Sequence, residues 1–176
     1  MSKKKEKNQG TSKKSPPPSP KGMLDRLESF LEKRHKIVVY LLLFLSVVMS
    51  LLLFDVKISI GGDDSAYIER ASMFLNDGKF PFYQGPLYPL FLASFVSMFG
   101  VKVIMLKFCS LIFYNLHVLF IYFAFRKRIP YILLIALVAF LALNSFMQYY
   151  SSQTYTEAFF LFLQSICIFW TVKLID

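Results

Sequence analysis

The chain is short of the residues from which most soluble enzymes build their chemistry. It has two cysteines in 176 residues, Cys109 and Cys167, each inside an apolar run. Neither shows metal-ligand spacing or a disulfide framework, so both read as small hydrophobes. The seven glycines do not form a phosphate-cradling loop. There is likewise no serine-hydrolase elbow and no nucleotide fold, which disfavours a nucleotide-sugar donor. Charge is sparse at 18%. Only seven acids follow residue 36, and five of them are Asp63, Asp64, Glu69, Asp77 and Glu157. No His/Cys/acid cluster has the spacing of a metal site.

What is abundant is apolar. Hydrophobic residues make up 56% of the sequence, twenty of them Phe, and the mean hydropathy is +0.51. They fall in long blocks rather than in a 3.6-residue rhythm, the mark of a polytopic membrane protein. The formal net charge of +9 is concentrated at the start, where residues 1–36 hold eleven Lys/Arg against four acids. A basic tail next to a membrane segment fits positive-inside orientation and attraction to anionic lipid. No nucleic-acid recognition motif accompanies the lysines, so nucleic acid is not expected as a partner.

The blocks predict an all-α transmembrane bundle of about four spans. Residues 1–22 are lysine- and proline-rich and expected to be disordered. Residues 23–36 place Met23, Leu24, Leu27, Phe30 and Leu31 on one helical face and read as an amphipathic helix on the cytoplasmic surface. Within the membrane region, 37–176, spans are expected at about 37–54, 103–125, 131–147 and 158–172. The first span reads as a signal anchor rather than a cleaved signal peptide, because its apolar run is long and no A-x-A site follows. An outer loop, 55–102, should carry a short helix from "SAYIERASMFL", closed at Asn76-Asp77-Gly78, and a second from Leu87 to Gly100. The second is too short to span, and so reads as re-entrant or juxtamembrane. Asp64 and Ser65 are suitable helix N-caps, and "QYYSSQTYTE" reads as a short outer loop. Every basic cluster then lies on the cytoplasmic side, as in an integral protein of the plasma membrane with its N-terminus inside.

The acid pair follows Gly61-Gly62. On residue type alone it could merely end a turn and start a helix, and Glu157 could be a first-turn acid favoured by the helix dipole. The order of motifs suggests more. "GGDDSAYIERA", then "GPLYPLFLA", a short apolar helix ending Phe-Gly, a span ending Arg-Lys-Arg, and "YTEAFFLFL" together resemble the N-terminal part of the GT-C membrane glycosyltransferases. Within that superfamily the likeness is to the protein O-mannosyltransferase and lipid A aminoarabinose transferase branch, and it covers roughly 37–173.

The resemblance implies transfer of a sugar from a polyprenyl-phosphate donor to a lipid, glycan or protein hydroxyl on the extracytoplasmic face. It implies a catalytic base at Asp64, in register with Tyr67 as in a D-x-x-Y pattern, or at Asp63. It places Glu157, Tyr67, Arg70, Tyr88 of "GPLYP", and Lys102 at substrate. Lys107, one turn deeper, reads mainly as snorkelling. A divalent metal could be held by Asp63, Asp64 and Glu157 if they converge. Asp-Asp stands where the mannosyltransferases usually have Asp-Glu, and relatives generally have more spans. The alternative expectation is a non-catalytic membrane subunit or accessory protein of envelope glycan assembly. A transporter ranks below both, since the spans offer few ionisable groups beyond Lys107 and His117.

Overall fold

The computed structural model describes residues 22–57 and 62–175. The basic tail before Gly22, Gly61 of the Gly-Gly pair and Asp176 lie outside them. The described residues form seven helices and no strand. Three helices are long and apolar enough to cross a bilayer, and one bent pair supplies a fourth span. The chain is thus an integral membrane protein, an all-α bundle of about four spans. Its surface is correspondingly greasy, with Phe44, Phe140 and Phe160 each more than 60% exposed, as lipid rather than water would require.

Helix α1, Met23–Leu52, runs unbroken through both the expected interface helix and the first span. Nothing between Lys36 and Ile37 stops a helix, since neither Gly nor Pro interrupts the run. At 1.5 Å per residue it is about 45 Å long, against a hydrocarbon thickness of about 30 Å, so its first turns extend past the core. The apolar stripe of Met23, Leu24, Leu27 and Phe30 stays exposed. The adjoining flank docks instead: the Glu28 carboxylate accepts from the backbone N–H of Tyr131 (2.6 Å) and Ile132 (2.9 Å), and His35 stacks on Tyr131 at 4.6 Å.

Helix α4, Val103–Phe125, occupies the expected second span. Helix α7, Thr156–Leu174, pairs with it more extensively than any other two elements pair. The two run parallel and in register: His117 Nδ1 lies 3.0 Å from the Leu161 carbonyl, Arg128 donates to the Val172 carbonyl, and both pairs are 44 residues apart. His117 is thus a packed, hydrogen-bonded histidine. Phe113, Phe120 and Phe162 fill the seam between the helices. Around Tyr114, Val118 and Tyr122 of α4, the bundle core takes in Val39 of α1 and Leu134, Val138 and Ala142 of α5.

The third span differs from its expectation. Helix α5, Tyr131–Ala142, ends early and meets α6, Ser145–Ser151, at a 52° bend. Asn144 causes the break by capping α6, its side chain accepting from the Met147 N–H at 3.1 Å. Much of the stretch that reads as an outer loop is therefore helical, and Gln148, Ser151, Ser152, Gln153 and Thr154 are buried. Helices α2, Asp63–Asp77, and α3, Leu87–Phe99, form a hairpin beside this end of the bundle. At about 20 Å, α3 is too short to cross. A second apolar cluster joins α2 and α3 through Ile68, Ala71, Leu92 and Ala93, with Leu106 of α4 and Phe159 of α7 against it.

Candidate active site at the acidic end

The acid pair opens α2. Its N-cap is Gly62, so Asp63 and Asp64 occupy the first turn rather than the cap itself, where the helix dipole favours negative charge. Ser65 is not the cap either; its hydroxyl donates back to the Gly62 carbonyl at 2.8 Å. Successive residues point about 100° apart on a helix, and that separates the two carboxylates. Asp63 is exposed, whereas Asp64 is fully buried with Oδ1 accepting the Ser65 N–H at 2.9 Å. Asp64 begins the buried stripe that continues through Tyr67, Ile68 and Ala71. Its register with Tyr67 is real, but that register turns Asp64 inward.

Tyr67 meets Tyr88 of α3 edge-on at 5.3 Å, and Tyr88 in turn packs against Phe159 of α7 at 5.6 Å. The Tyr88 hydroxyl lies 3.5 Å from Ser110 Oγ of α4. Burial pushes the pKa of this phenol well up; the Ser110 hydrogen bond opposes the rise, and the negative charge of nearby Glu157 adds to it. Tyr88 is consequently a neutral hydroxyl throughout the physiological range. Glu157 is exposed in the first turn of α7, two residues before the Phe159 that packs on Tyr88. A groove of about 270 Å³ opens beside them, walled by Gln84, Gly85, Pro86, Leu87 and Tyr88 and by Thr156, Phe159, Phe160 and Leu163.

The expected cations are placed differently. Arg70 does not line the groove itself: Nη1 donates to the Tyr83 carbonyl (3.1 Å) and to Gln84 Oε1 (2.9 Å), and the guanidinium lies over the Tyr67 and Tyr83 rings. These contacts hold the loop where Gln84 adopts a left-handed φ of 61°, uncommon for a residue with a side chain, followed by Gly85 at 86°. Lys102 is exposed ahead of α4, in a separate depression with Val56 and Met105. Lys107 does not snorkel. It is fully buried, its ammonium donating to the Asp55 carbonyl (2.7 Å), the Lys57 carbonyl and Gln153 Oε1 (3.0 Å). Three donors meet three oxygens, which offsets the desolvation of the charge. Asp63, Asp64 and Glu157 do not gather as a metal-ligand group; among the described residues no three His, Cys, Asp or Glu do.

Beneath the acids lies a polar seat that sequence reasoning did not pick out. The buried amide of Gln148 donates from Nε2 to Ser46 Oγ and to the Ala142 carbonyl, both at 2.8 Å, and its Oε1 accepts from Ser50. The Ala142 carbonyl is one of those freed where α5 breaks, so Gln148 repairs the bend that it adjoins. Ser46 and Ser50 stand four apart in an apolar run, one face of one helix, and that spacing was the available signal. Thr154 Oγ1 is buried with no hydrogen-bond partner among the described residues. No family model matches this sequence, and no curated protein or solved structure matches it either. The chemistry of the site accordingly rests on its own residues.

Proposed function

We propose that the chain is a membrane glycosyltransferase, or the N-terminal part of one, acting on a polyprenyl-phosphate sugar at the extracytoplasmic face of the plasma membrane, with the basic ends of α4 and α7 on the cytoplasmic side. The observation that carries this reading is the aromatic chain Tyr67–Tyr88–Phe159, which links α2, with Asp63 in its first turn, to α7, with Glu157 in its first turn, beside an apolar groove. In this reading Asp63 takes the proton of the acceptor hydroxyl as its oxygen bonds to the anomeric carbon. The bond from that carbon to the lipid phosphate breaks, and polyprenyl phosphate leaves. Asp63 is preferred to Asp64 because a base must reach its proton within hydrogen-bond distance, and Asp63 is the exposed member. Asp64 sets the start of α2, Glu157 contacts the sugar or the acceptor, and the groove takes the first isoprene units.

One observation favours the alternative, a non-catalytic subunit of envelope glycan assembly. Phosphate binding calls for cations, yet Arg70 and Lys107 are engaged in holding loops, and Lys102 lines a different depression. A single assay separates the two readings. The full chain, purified in lipid nanodiscs, is given undecaprenyl- and dolichyl-phosphate hexoses with a membrane extract as acceptor, and released polyprenyl phosphate is measured. The enzyme reading expects release that falls by roughly 10²–10⁴ in Asp63→Asn with insertion unchanged. Release equal in wild type and variant removes Asp63 as base, and none from correctly inserted wild type favours the subunit.

A further inference from the structure

At the other end of the bundle, α4 and α7 finish side by side around a cavity of about 510 Å³. Its rim carries Arg126, Lys127 and Arg128 from the α4 end and Lys173 from α7; Phe123 and Phe169 form the apolar wall. No acid lines it among the described residues. Arg128 has a structural task, donating to the Val172 carbonyl at the end of α7. Cations at helix C-termini also complement the helix dipole, which accounts for one charge at each helix end. It does not account for several like charges facing a shared cavity of ligand size, an arrangement that repels itself until an anion enters. Lys173 lies 4.7 Å over the ring of Trp170, which is itself 53% exposed on α7. An exposed Trp beside a Lys at the end of an apolar helix marks the depth at which lipid headgroups lie.

We propose that this cavity binds the phosphate of an anionic phospholipid headgroup, with Arg126, Lys127 and Lys173 as its cationic contacts and the acyl chains running down the exposed face of α7. The site is at the opposite end from the acid pair and does not depend on the glycosyltransferase reading. Arg126 lies 5.2 Å over the Phe123 ring at the cavity wall, which holds the guanidinium at the rim. Lys127 is exposed and Arg126 half-buried, so the site is open to a headgroup from the side of the lipid surface. A basic pocket between helix ends is a general solution for headgroup recognition, each Lys or Arg contributing roughly 1 kcal/mol, or about fivefold in affinity.

The test reconstitutes the full chain in nanodiscs of phosphatidylcholine mixed with phosphatidylglycerol and counts retained lipid by native mass spectrometry. Wild type should keep phosphatidylglycerol in preference to phosphatidylcholine. The triple variant Arg126→Gln/Lys127→Gln/Lys173→Gln should lose that preference by on the order of 100-fold, and Lys127→Gln alone by about fivefold. Lys79→Gln/Lys102→Gln, which removes two exposed cations at the other end, should leave it intact. Equal retention of both lipids by wild type, or equal loss in the Lys79/Lys102 control, overturns the proposal. Inorganic phosphate is the competing arm: displacement of phosphatidylglycerol by millimolar phosphate would assign the cavity to a free anion and overturn the lipid assignment. Should the triple variant fail to insert, Lys127→Gln carries the decision.

Discussion

The two ends of the bundle handle polar groups in opposite ways. At the end where α4 and α7 finish, the cations Arg126, Lys127 and Lys173 are on or near the surface around a cavity. At the end where α4 and α7 begin, Lys107, Gln148, Gln153, Ser46, Ser50 and Asp64 are all buried. The first arrangement asks little of the fold, because exposed charges at helix ends are solvated. The second is costly unless each group finds a partner, and nearly every one does. A membrane bundle that needed only to span would not bury so many polar side chains at one end. The acidic end is therefore built to hold a shape, and Lys107 ties Asp55 and Lys57, just after α1, to Gln153, just before α7.

The largest expected effects concern the independence of the two ends. If the chain is the proposed transferase, Asp63→Asn should cut transfer by roughly 10²–10⁴ and leave phosphatidylglycerol retention at the basic end unchanged. Conversely, Lys127→Gln should weaken lipid retention and leave release of polyprenyl phosphate unchanged. If either variant disturbs both readouts while the protein stays folded, the two ends are coupled.

A second test addresses the buried ammonium. Lys107→Met keeps an unbranched side chain one atom shorter but removes the ammonium that donates to the Asp55 and Lys57 carbonyls and Gln153 Oε1. Unmade hydrogen bonds at buried groups cost about 1–3 kcal/mol each, partly offset here because a buried charge is also removed. The expected net loss is on the order of 3 kcal/mol, read as a lower thermal midpoint in detergent, with faster proteolysis of the loop after α1. An unchanged midpoint would mean that the clamp is decorative.

The elements were far more legible than the contacts among them. Helix α4 occupies the expected 103–125 because Lys102 and Arg126 bracket a mainly apolar run without Gly or Pro, and Gly78 and Gly100 close α2 and α3 by taking positive φ. Hydropathy also carried the number of spans. It could not carry the bend after Ala142, since Asn144 in an apolar run reads equally well as a lipid-interface residue until its side chain is seen to cap α6. At the site, residue types marked the right end of the molecule but not the directions of side chains. One helical step separates exposed Asp63 from buried Asp64, and Arg70 spends its donors on Tyr83 and Gln84, 13 and 14 residues later. Contacts of long sequence separation, such as Lys107 with Asp55 or Gln148 with Ser46, leave no local pattern to read.

A third test asks whether the polar seat is worth its desolvation. Gln148→Leu removes three hydrogen bonds, two to α1 and one to the freed Ala142 carbonyl. Hydrogen bonds between membrane helices average near 0.6 kcal/mol and reach about 1–2 kcal/mol, so the expected loss is about 2 kcal/mol. The bend itself should loosen, seen as faster amide exchange at Leu143 and Asn144. Ser46→Ala and Ser50→Ala should each cost less, because Gln148 keeps its remaining partners.

The smallest expected effect is at the basic end. Glu28 of α1 caps α5 in trans, its two oxygens accepting from the first N–H groups of that helix at Tyr131 and Ile132. Pro130 precedes them and offers no side-chain cap of its own, so the carboxylate supplies what the local sequence lacks. Glu28→Gln keeps one acceptor oxygen but loses the charge that favours a helix N-terminus, a change of about 0.5–1 kcal/mol. Because Glu28 is only half-buried, added salt should shrink the difference between wild type and variant, whereas the Gln148→Leu difference at the acidic end should not respond to salt. Thermal midpoints of both variants at low and high ionic strength check this. A salt-sensitive seat at Gln148, or a salt-blind cap at Glu28, would undo the contrast between a partly solvated charge and a buried neutral amide.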